Sequence, residues 1–198
     1  MPSRLRGKAI LVRCADDAAI LFENETDAHR MMEVLPKRFG KYGLVLHPEK
    51  TRIVPFQRPD RLQNRSDDEG GPEGPGTFDF LGFTTLWGKS RAGKWVVLQR
   101  IAKDRFRRAM ERANDWCKRF RHAPVEEQHK ALNRKLRGHY GYYRRVGNGK
   151  RLWEFLYRVT EIWKRWLSKR SQRPFTWIRM NRLLKRFPLL TPSRVYNA

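Results

Sequence analysis

The chain has 198 residues, enough for one ordinary hydrophobic core or two small ones, and its 44 Lys and Arg outnumber its 20 Asp and Glu. No apolar run approaches the roughly 18 to 20 residues that cross a bilayer, and the N-terminus lacks the pattern of a secretory peptide. The cysteines, Cys14 and Cys117, lie far apart in unrelated contexts, which argues against a disulfide framework or a zinc site. We therefore expect a cytoplasmic protein.

The positive charge is concentrated in the second half of the chain. Residues 1–86 hold 13 basic and 13 acidic side chains, whereas residues 87–198 hold 31 and 7. An excess of this size repels itself within a compact domain, which favours a polyanionic partner. Nucleic acid is the first candidate for that partner, and an anionic membrane surface is the alternative.

Two apolar runs near the N-terminus, at 10–14 and 18–22, flank the adjacent carboxylates Asp16 and Asp17. Each run has strand length and apolar residues on both faces, so the pattern predicts a buried β-hairpin. The carboxylates repel each other at its turn unless a cation is near, and Mg²⁺ suits such oxygen ligands. Because aspartate is also a common turn residue, a simple polar tip is the alternative.

A helix is predicted directly after the hairpin. Asn24 or Thr26 can cap it, and its apolar stripe continues to Gly40 or Gly43, either of which can end it. Proline removes a helical hydrogen bond and clashes with the preceding turn, so we expect Pro36 to kink this helix or break it in two.

Short strands are predicted next, at 44–46 and 52–56. Residues 57–76 are rich in glycine and proline among polar neighbours, which predicts a mobile loop. Aromatic and β-branched residues then return at 77–86 and 95–99, and these two runs predict a second hairpin.

From residue 101 onward the spacing of apolar residues changes from two to 3.6, which predicts amphipathic helices with cations on their outer faces. The expected helices cover about 101–120, a stretch opened by Pro124, 152–168 and 174–187, with a glycine- and tyrosine-rich connector at 138–149 and an extended tail from 188. Most tryptophans, including Trp116, Trp163 and Trp166, fall on apolar faces and are expected in the core. The pattern therefore predicts an α+β chain whose second half is a basic helical bundle.

Four segments occur in order along the chain: A-D-D at 15–17, G-L-V-L-H-P-E-K-T at 43–51, F-L-G-F at 80–83 and L-N-R-K-L-R-G-H-Y-G-Y-Y at 132–143. In this order and spacing they resemble the reverse transcriptases encoded by bacterial group II introns. The first resembles the Y-A-D-D of the polymerase palm, with cysteine in the tyrosine position, and the second resembles the following motif with its lysine. The third resembles the motif near the primer end, and the fourth resembles the thumb, also called the maturase or X domain.

The resemblance implies an α+β fold made of a partial polymerase palm followed by a basic α-helical thumb or maturase bundle. By that likeness, residues 1–56 are the C-terminal part of the palm and 57–76 are a flexible loop. Residues 77–100 are a hairpin that completes the palm, and 101–198 are the thumb or maturase domain.

The resemblance also implies RNA-directed DNA polymerisation, in which two Mg²⁺ ions held by carboxylates clamp the attacking and leaving oxygens. Asp16 would be the principal metal ligand, with Asp17 close by. Lys50 would neutralise or protonate the departing pyrophosphate, although the residues alone also allow a solvated lysine. Leu81 and Gly82, in the motif near the primer end, would contact primer and template.

In that family a further metal-binding aspartate and the fingers precede the hairpin, whereas only fourteen residues precede Ala15 here. We therefore expect a C-terminal fragment that is inactive alone, unless a complementing N-terminal polypeptide restores the site. The alternative is a non-catalytic RNA-binding protein that assists intron RNA folding or splicing.

The basic bundle interleaves Lys and Arg with aromatic residues, a combination that neutralises phosphates and stacks on exposed bases. RNA is the expected partner, intron RNA first, with a DNA primer as a second. The tyrosines of the 138–149 connector are the stacking candidates, although they could instead pin the helices together. The expected RNA-binding residues are Arg105, Arg108, Arg112, Arg137, Tyr140, Tyr142, Tyr143, Arg144 and Arg145.

Overall fold

The computed structural model describes residues 5–59, 76–145, 147–171 and 174–193. The chain divides into two compact units, Met1–Leu81 with Leu86–Val96 (unit 1) and Gly82–Thr85 with Val97–Ala198 (unit 2). The described ranges contain five helices and two small antiparallel sheets, which confirms the α+β class. Most of the predicted loop at 57–76 lies outside the described residues.

The elements follow one another as two small sheets and a helical bundle. They are β1 (Ala9–Cys14), β2 (Asp17–Phe22), α1 (Glu25–Gly40), β3 (Phe78–Phe80), β4 (Phe83–Lys89), β5 (Trp95–Ile101), α2 (Lys103–Arg119), α3 (Val125–Tyr143), α4 (Gly149–Ser168) and α5 (Trp177–Arg186). β1 and β2 form one sheet, and the other has the order β3-β4-β5. The resemblance assigns all of 77–100 to the palm, whereas in the structure Gly82–Thr85 and the residues from Val97 onward belong to unit 2.

The first hairpin forms as predicted, but it is not buried. Cys14 pairs with Asp17, so Ala15 and Asp16 make the turn, and Ala15 has a φ of 52°. Every residue of β1 is exposed, and Ile10 and Leu11 each keep 62% of their surface accessible. The expectation of burial is wrong because two strands alone leave both faces of a sheet open.

α1 is a single helix that runs through Pro36 to Gly40, so the proline does not break it in two. The side chain of Asn24 caps it by accepting the backbone N–H of Thr26 at 3.0 Å. The buried carboxylate of Asp27 accepts the backbone N–H groups of Arg6 and Gly7, at 2.8 and 3.0 Å. These bonds fix the segment before β1 against α1.

The strands predicted at 44–46 and 52–56 do not form. A strand needs a neighbouring strand for its backbone hydrogen bonds, and these two runs pair with none among the described residues. Residues 48–50 are a turn, and the side chain of Val45 is 93% exposed. The apolar residues here were therefore a poor guide to strand structure.

Unit 2 is built around α4, whose apolar face is buried against the neighbouring helices, α2 foremost. Trp163 is fully buried, and Trp116 and Trp166 pack against the same core, which confirms the prediction for these three tryptophans. The buried amide of Gln128 accepts Trp163 Nε1–H at 2.7 Å and donates to the backbone carbonyl of Phe120 at 2.7 Å. This amide ties the α2–α3 connection to the centre of α4.

α3 is longer than the sequence predicted, because residues 138–143, expected in the connector, continue the helix. Gly138 and Gly141 lie where an added Cβ would meet nothing within 4 Å, while Leu136 and Tyr140 are buried beside them. Burial of those two side chains outweighs the roughly 1 kcal/mol that each glycine costs a helix.

The segment after α5 lies along α3 instead of standing free. Asn133 Oδ1 accepts the backbone N–H of Leu190 at 2.7 Å, and the Tyr140 hydroxyl donates to the carbonyl of Leu190 at 3.1 Å. Residues 188–191 have no regular structure, as expected for the tail, and residues 194–198 lie outside the described part. Across the described ranges, every helix is too short or too polar to cross a bilayer.

Candidate nucleic-acid interface

The turn between β3 and β4 places a backbone loop beside the start of α2. Leu81 and Gly82 have φ values of 50° and 77°, the left-handed conformation that a tight two-residue hairpin turn of the primed type requires. The carbonyl of Gly82 accepts the backbone N–H of Ala102 at 3.0 Å, immediately before α2 begins. The F-L-G-F motif therefore contains a constrained turn, and the backbone of Gly82 is hydrogen-bonded to the residue that precedes α2.

Gly82 approaches two residues that the sequence assigned to RNA binding. A Cβ added at this position would lie 3.4 Å from Tyr143 Oη and 3.5 Å from Arg105 Cγ. The positive φ favours glycine here, and an added Cβ would make ordinary van der Waals contact with both side chains. The structure thus brings together a predicted primer-contacting residue, from the F-L-G-F turn, and predicted RNA-binding residues of α2 and α3.

Aromatic rings next to this turn form a compact stack. Phe83 is buried, with its ring centroid 5.6 Å from Tyr142 in a stacked arrangement and 5.3 Å from Tyr143 edge to face. Tyr142 remains 55% exposed. A ring that is packed on one side and open to solvent elsewhere can stack on an unpaired base with little loss of side-chain entropy.

Two cations of α2, Arg105 and Arg112, lie close enough to this stack to act on the Tyr143 hydroxyl. Arg105 and Arg108 have side chains 51% and 52% exposed, and Asp104 pairs with Arg108 at 2.8 Å. Burial, above all, raises the pKa of the Tyr143 hydroxyl, while Arg105 and Arg112 act to lower it. The hydroxyl is therefore a neutral hydrogen-bond donor at physiological pH. We name Gly82, Arg105, Tyr142 and Tyr143 the Gly82 cluster.

Asn148 holds the backbone that presents this cluster, and sequence reasoning missed it. Its side chain is fully buried, accepts the N–H of Ile101 at 3.2 Å and donates to the carbonyl of Tyr143 at 2.9 Å. Its own carbonyl accepts the N–H of Leu152 at 3.1 Å inside α4. The only local signal was an asparagine between two glycines just before an apolar helical run.

The remaining predicted RNA-binding residues occupy different environments. Arg112, Arg137, Arg144 and Arg145 are exposed. Tyr140 is fully buried with its hydroxyl bonded to Leu190, and this burial raises its pKa, so it pins the helix and offers no face to a base. The alternative reading of the connector tyrosines therefore applies to Tyr140.

Unit 2 as a whole carries far more positive charge than its carboxylates can neutralise. Residues 97–198 contain 28 Lys and Arg but only 7 Asp and Glu. Most of those carboxylates already pair with a cation on their own helix, as Glu126 does with Lys130 at 2.7 Å and Glu154 with Arg151 at 2.8 Å. The net field of this unit favours a polyanion.

The predicted catalytic residues lie in unit 1. Asp16 and Asp17 are exposed at the tip of the first hairpin, and Lys50 is exposed in the turn at 48–50. Among the described residues, no ion pair joins Lys50 to either carboxylate. Two exposed neighbouring carboxylates fit a magnesium ion that is held mainly by substrate phosphates. The described ranges contain no group of three or more His, Cys, Asp or Glu that could hold a metal.

No family model, no curated protein and no solved structure matches this chain.

Proposed function

We propose that this protein binds RNA through the cationic surface of unit 2, with the Gly82 cluster as a principal contact. The observation that carries the proposal is the half-exposed Tyr142 ring, packed against Phe83 and Tyr143, on a unit with 28 basic and 7 acidic side chains. An exposed ring stacks on an unpaired base, and neighbouring arginines neutralise the flanking phosphates.

Within that proposal the chain acts as the thumb or maturase part of a group II intron-like reverse transcriptase, and its RNA is intron RNA. The approach of Gly82 to Arg105 and Tyr143 supports this assignment. The resemblance gives a primer and template role to the F-L-G-F turn and an RNA-binding role to the helices. A common site for segments so distant in sequence is what such a role requires.

A second function, RNA-directed DNA polymerisation with Mg²⁺, is favoured by the first hairpin. Asp16 and Asp17 lie side by side at its tip, and its strands expose aliphatic side chains such as Ile10 and Leu11 on both faces. Strands of this composition normally occupy the middle of a covered sheet. We propose that a complementing polypeptide covers the hairpin and completes the metal site, with a DNA primer as a further ligand.

Binding of a structured RNA containing unpaired loops tests the first proposal. We expect Tyr142→Ala to weaken binding about fivefold or more, because one base stack is worth roughly 1 to 3 kcal/mol. Tyr42→Ala is the matched control, since Tyr42 is 73% exposed but lies in unit 1. Equal effects of the two substitutions on affinity would contradict the assignment of the Gly82 cluster.

Primer extension on an RNA template tests the second function. The purified chain is assayed alone and with candidate complementing polypeptides, and each reaction is repeated with Asp16→Ala. Extension that depends on Asp16 supports the polymerase proposal. Extension that survives the Asp16→Ala change would show that these carboxylates are not the metal ligands.

A further inference from the structure

The outer face of α4 carries aromatic side chains that the core of unit 2 does not use. Leu152, Phe155 and Val159 face the core and are buried, whereas Trp153 and Tyr157 remain 50% and 56% exposed. The outer face of an amphipathic helix is ordinarily charged or polar, so two large rings one turn apart need another explanation.

These rings begin a ridge that runs along the helix. Trp153, Tyr157, Lys164 and Ser168 are spaced by multiples of about one turn, so they share one face. At a rise of 1.5 Å per residue, the ridge from Trp153 to Ser168 is about 22 Å long. A third ring, Trp177 of α5, is 42% exposed, and Lys164 Nζ lies 5.2 Å from its centroid.

The far end of the ridge is a cationic pocket. Its volume is about 360 Å³, and it is lined by Glu161, Lys164, Arg165, Ser168, Lys169 and Trp177. The one carboxylate in that set is already engaged, because Glu161 pairs with Arg158 at 3.3 Å. The three cations of the pocket, Lys164, Arg165 and Lys169, lie beside the exposed Trp177 indole, so the pocket suits an anionic ligand.

We propose that this face, which we name the α4 track, binds a run of unpaired RNA nucleotides. Trp153, Tyr157 and Trp177 stack on bases, and the cations of the pocket neutralise phosphates. A length of about 22 Å accommodates roughly six nucleotides at the stacked spacing of 3.4 Å, and fewer if the strand is extended. The choice of RNA rests on the proposed function, but the track shares no residue with the Gly82 cluster.

An unpaired strand fits this surface better than the other polyanions. A duplex hides its base faces, so it would use the cations and leave the rings without a partner. A membrane would favour a continuous aliphatic face, whereas Lys164, Glu161 and Ser168 interrupt this ridge. Single-stranded nucleic acid is the ligand that uses both stacking and phosphate contacts along one line.

The test is fluorescence anisotropy with the full chain and labelled probes of equal length: oligouridine RNA, a hairpin RNA duplex and oligothymidine DNA. Trp153→Ala, Tyr157→Ala and Trp177→Ala should each weaken oligouridine binding about fivefold or more and duplex binding less than about twofold. Ile178→Ala is the matched control, because this neighbour of Trp177 is 68% exposed but not aromatic. Tyr157→Phe should retain binding, since the ring alone stacks.

The outcomes separate this inference from the proposed function. If the wild-type chain binds RNA but all three aromatic variants bind oligouridine within twofold of it, the track is refuted and RNA binding by unit 2 stands. Equal losses on the duplex, or a preference of the track for oligothymidine, also overturn the assignment. Failure of the wild-type chain to bind any RNA refutes both proposals.

Two further measurements complete the test. The first needs no variant that could fail to fold, and the second asks whether the ligand is a lipid surface. Photocrosslinking of wild-type protein to 4-thiouridine RNA should label peptides that contain Trp153, Tyr157 or Trp177, and labels confined to other peptides would contradict the track. Binding to phosphatidylserine vesicles should be insensitive to the three alanine substitutions. Loss of vesicle binding with unchanged oligouridine affinity would identify the face as a membrane surface instead.

Discussion

Replacement of Asn148 by alanine should destabilise unit 2 by about 2 to 4 kcal/mol. The side chain is fully buried, where it accepts the N–H of Ile101 at 3.2 Å and donates to the carbonyl of Tyr143 at 2.9 Å. Alanine removes both bonds. Ile101, at the end of β5, and Tyr143, at the end of α3, then lose the side chain that bonds to both of them just before α4 begins.

The size of this loss depends on the hydrogen bonds that each former partner of the Asn148 side chain can still make. Ile101 is only 3% exposed, so its N–H loses its partner out of reach of water, at a cost of about 1 to 3 kcal/mol. The carbonyl of Tyr143 still accepts the N–H of Arg145 at 2.8 Å, so it loses only the net value of one bond, about 1 kcal/mol. The first loss is therefore the larger one.

Urea denaturation of the full chain, followed by circular dichroism and tryptophan fluorescence, measures this free energy. Asn181→Ala is the matched control, because Asn181 lies exposed on α5 and should change stability by less than about 0.5 kcal/mol. If Asn148→Ala unfolds at the same urea concentration as Asn181→Ala, the central role given to this amide is refuted.

Three further substitutions test neighbouring parts of unit 2. Burial lowers the pKa of His139 to about 4. The free energy of unfolding of unit 2 should therefore fall by up to about 3 kcal/mol as pH falls from about 6.5 to 4. His139→Phe should flatten this pH dependence when unfolding is measured across that range. Gly82→Ala, at a φ of 77° against Tyr143, should weaken RNA binding, while Gly93→Ala, at a φ of 74° in open space, should leave affinity unchanged. Gln128→Leu should cost about 2 kcal/mol or more in urea unfolding, because it removes the partner of the buried Trp163 indole.

The sequence predicted elements well where the apolar period was long and regular. The helices of unit 2 lie close to their predicted positions, because burial of an amphipathic face decides them. The first hairpin also forms at its predicted position, although its strands are not buried. The prediction of a connector was wrong for residues 138–143. It depended on Gly138 and Gly141, whereas burial of Tyr140 anchors this stretch to the core as a helix. Local propensity gave way there to tertiary packing.

The candidate site was only partly predictable, because its residues come from distant parts of the chain. Arg105, Tyr142 and Tyr143 were identified as separate basic and aromatic signals, and no local pattern places Gly82 among them. Asn148 carries no charge and lies in no apolar stripe, so its bridging role depends on three elements meeting around it. The proposed α4 track was not predicted, because the sequence prediction for this helix concerned its apolar face, on which Trp153 and Tyr157 do not lie.

The salt dependence of RNA affinity tests the central claim most directly, that unit 2 binds RNA through its cations. Each phosphate neutralised contributes a slope of about −0.7 to −0.9 to a plot of log affinity against log salt concentration. The account predicts a steep slope that becomes shallower by nearly one unit in Arg105→Gln and stays unchanged in Arg91→Gln, an exposed control in unit 1. An affinity that is nearly independent of salt, or a slope that Arg105→Gln leaves unchanged, would contradict it.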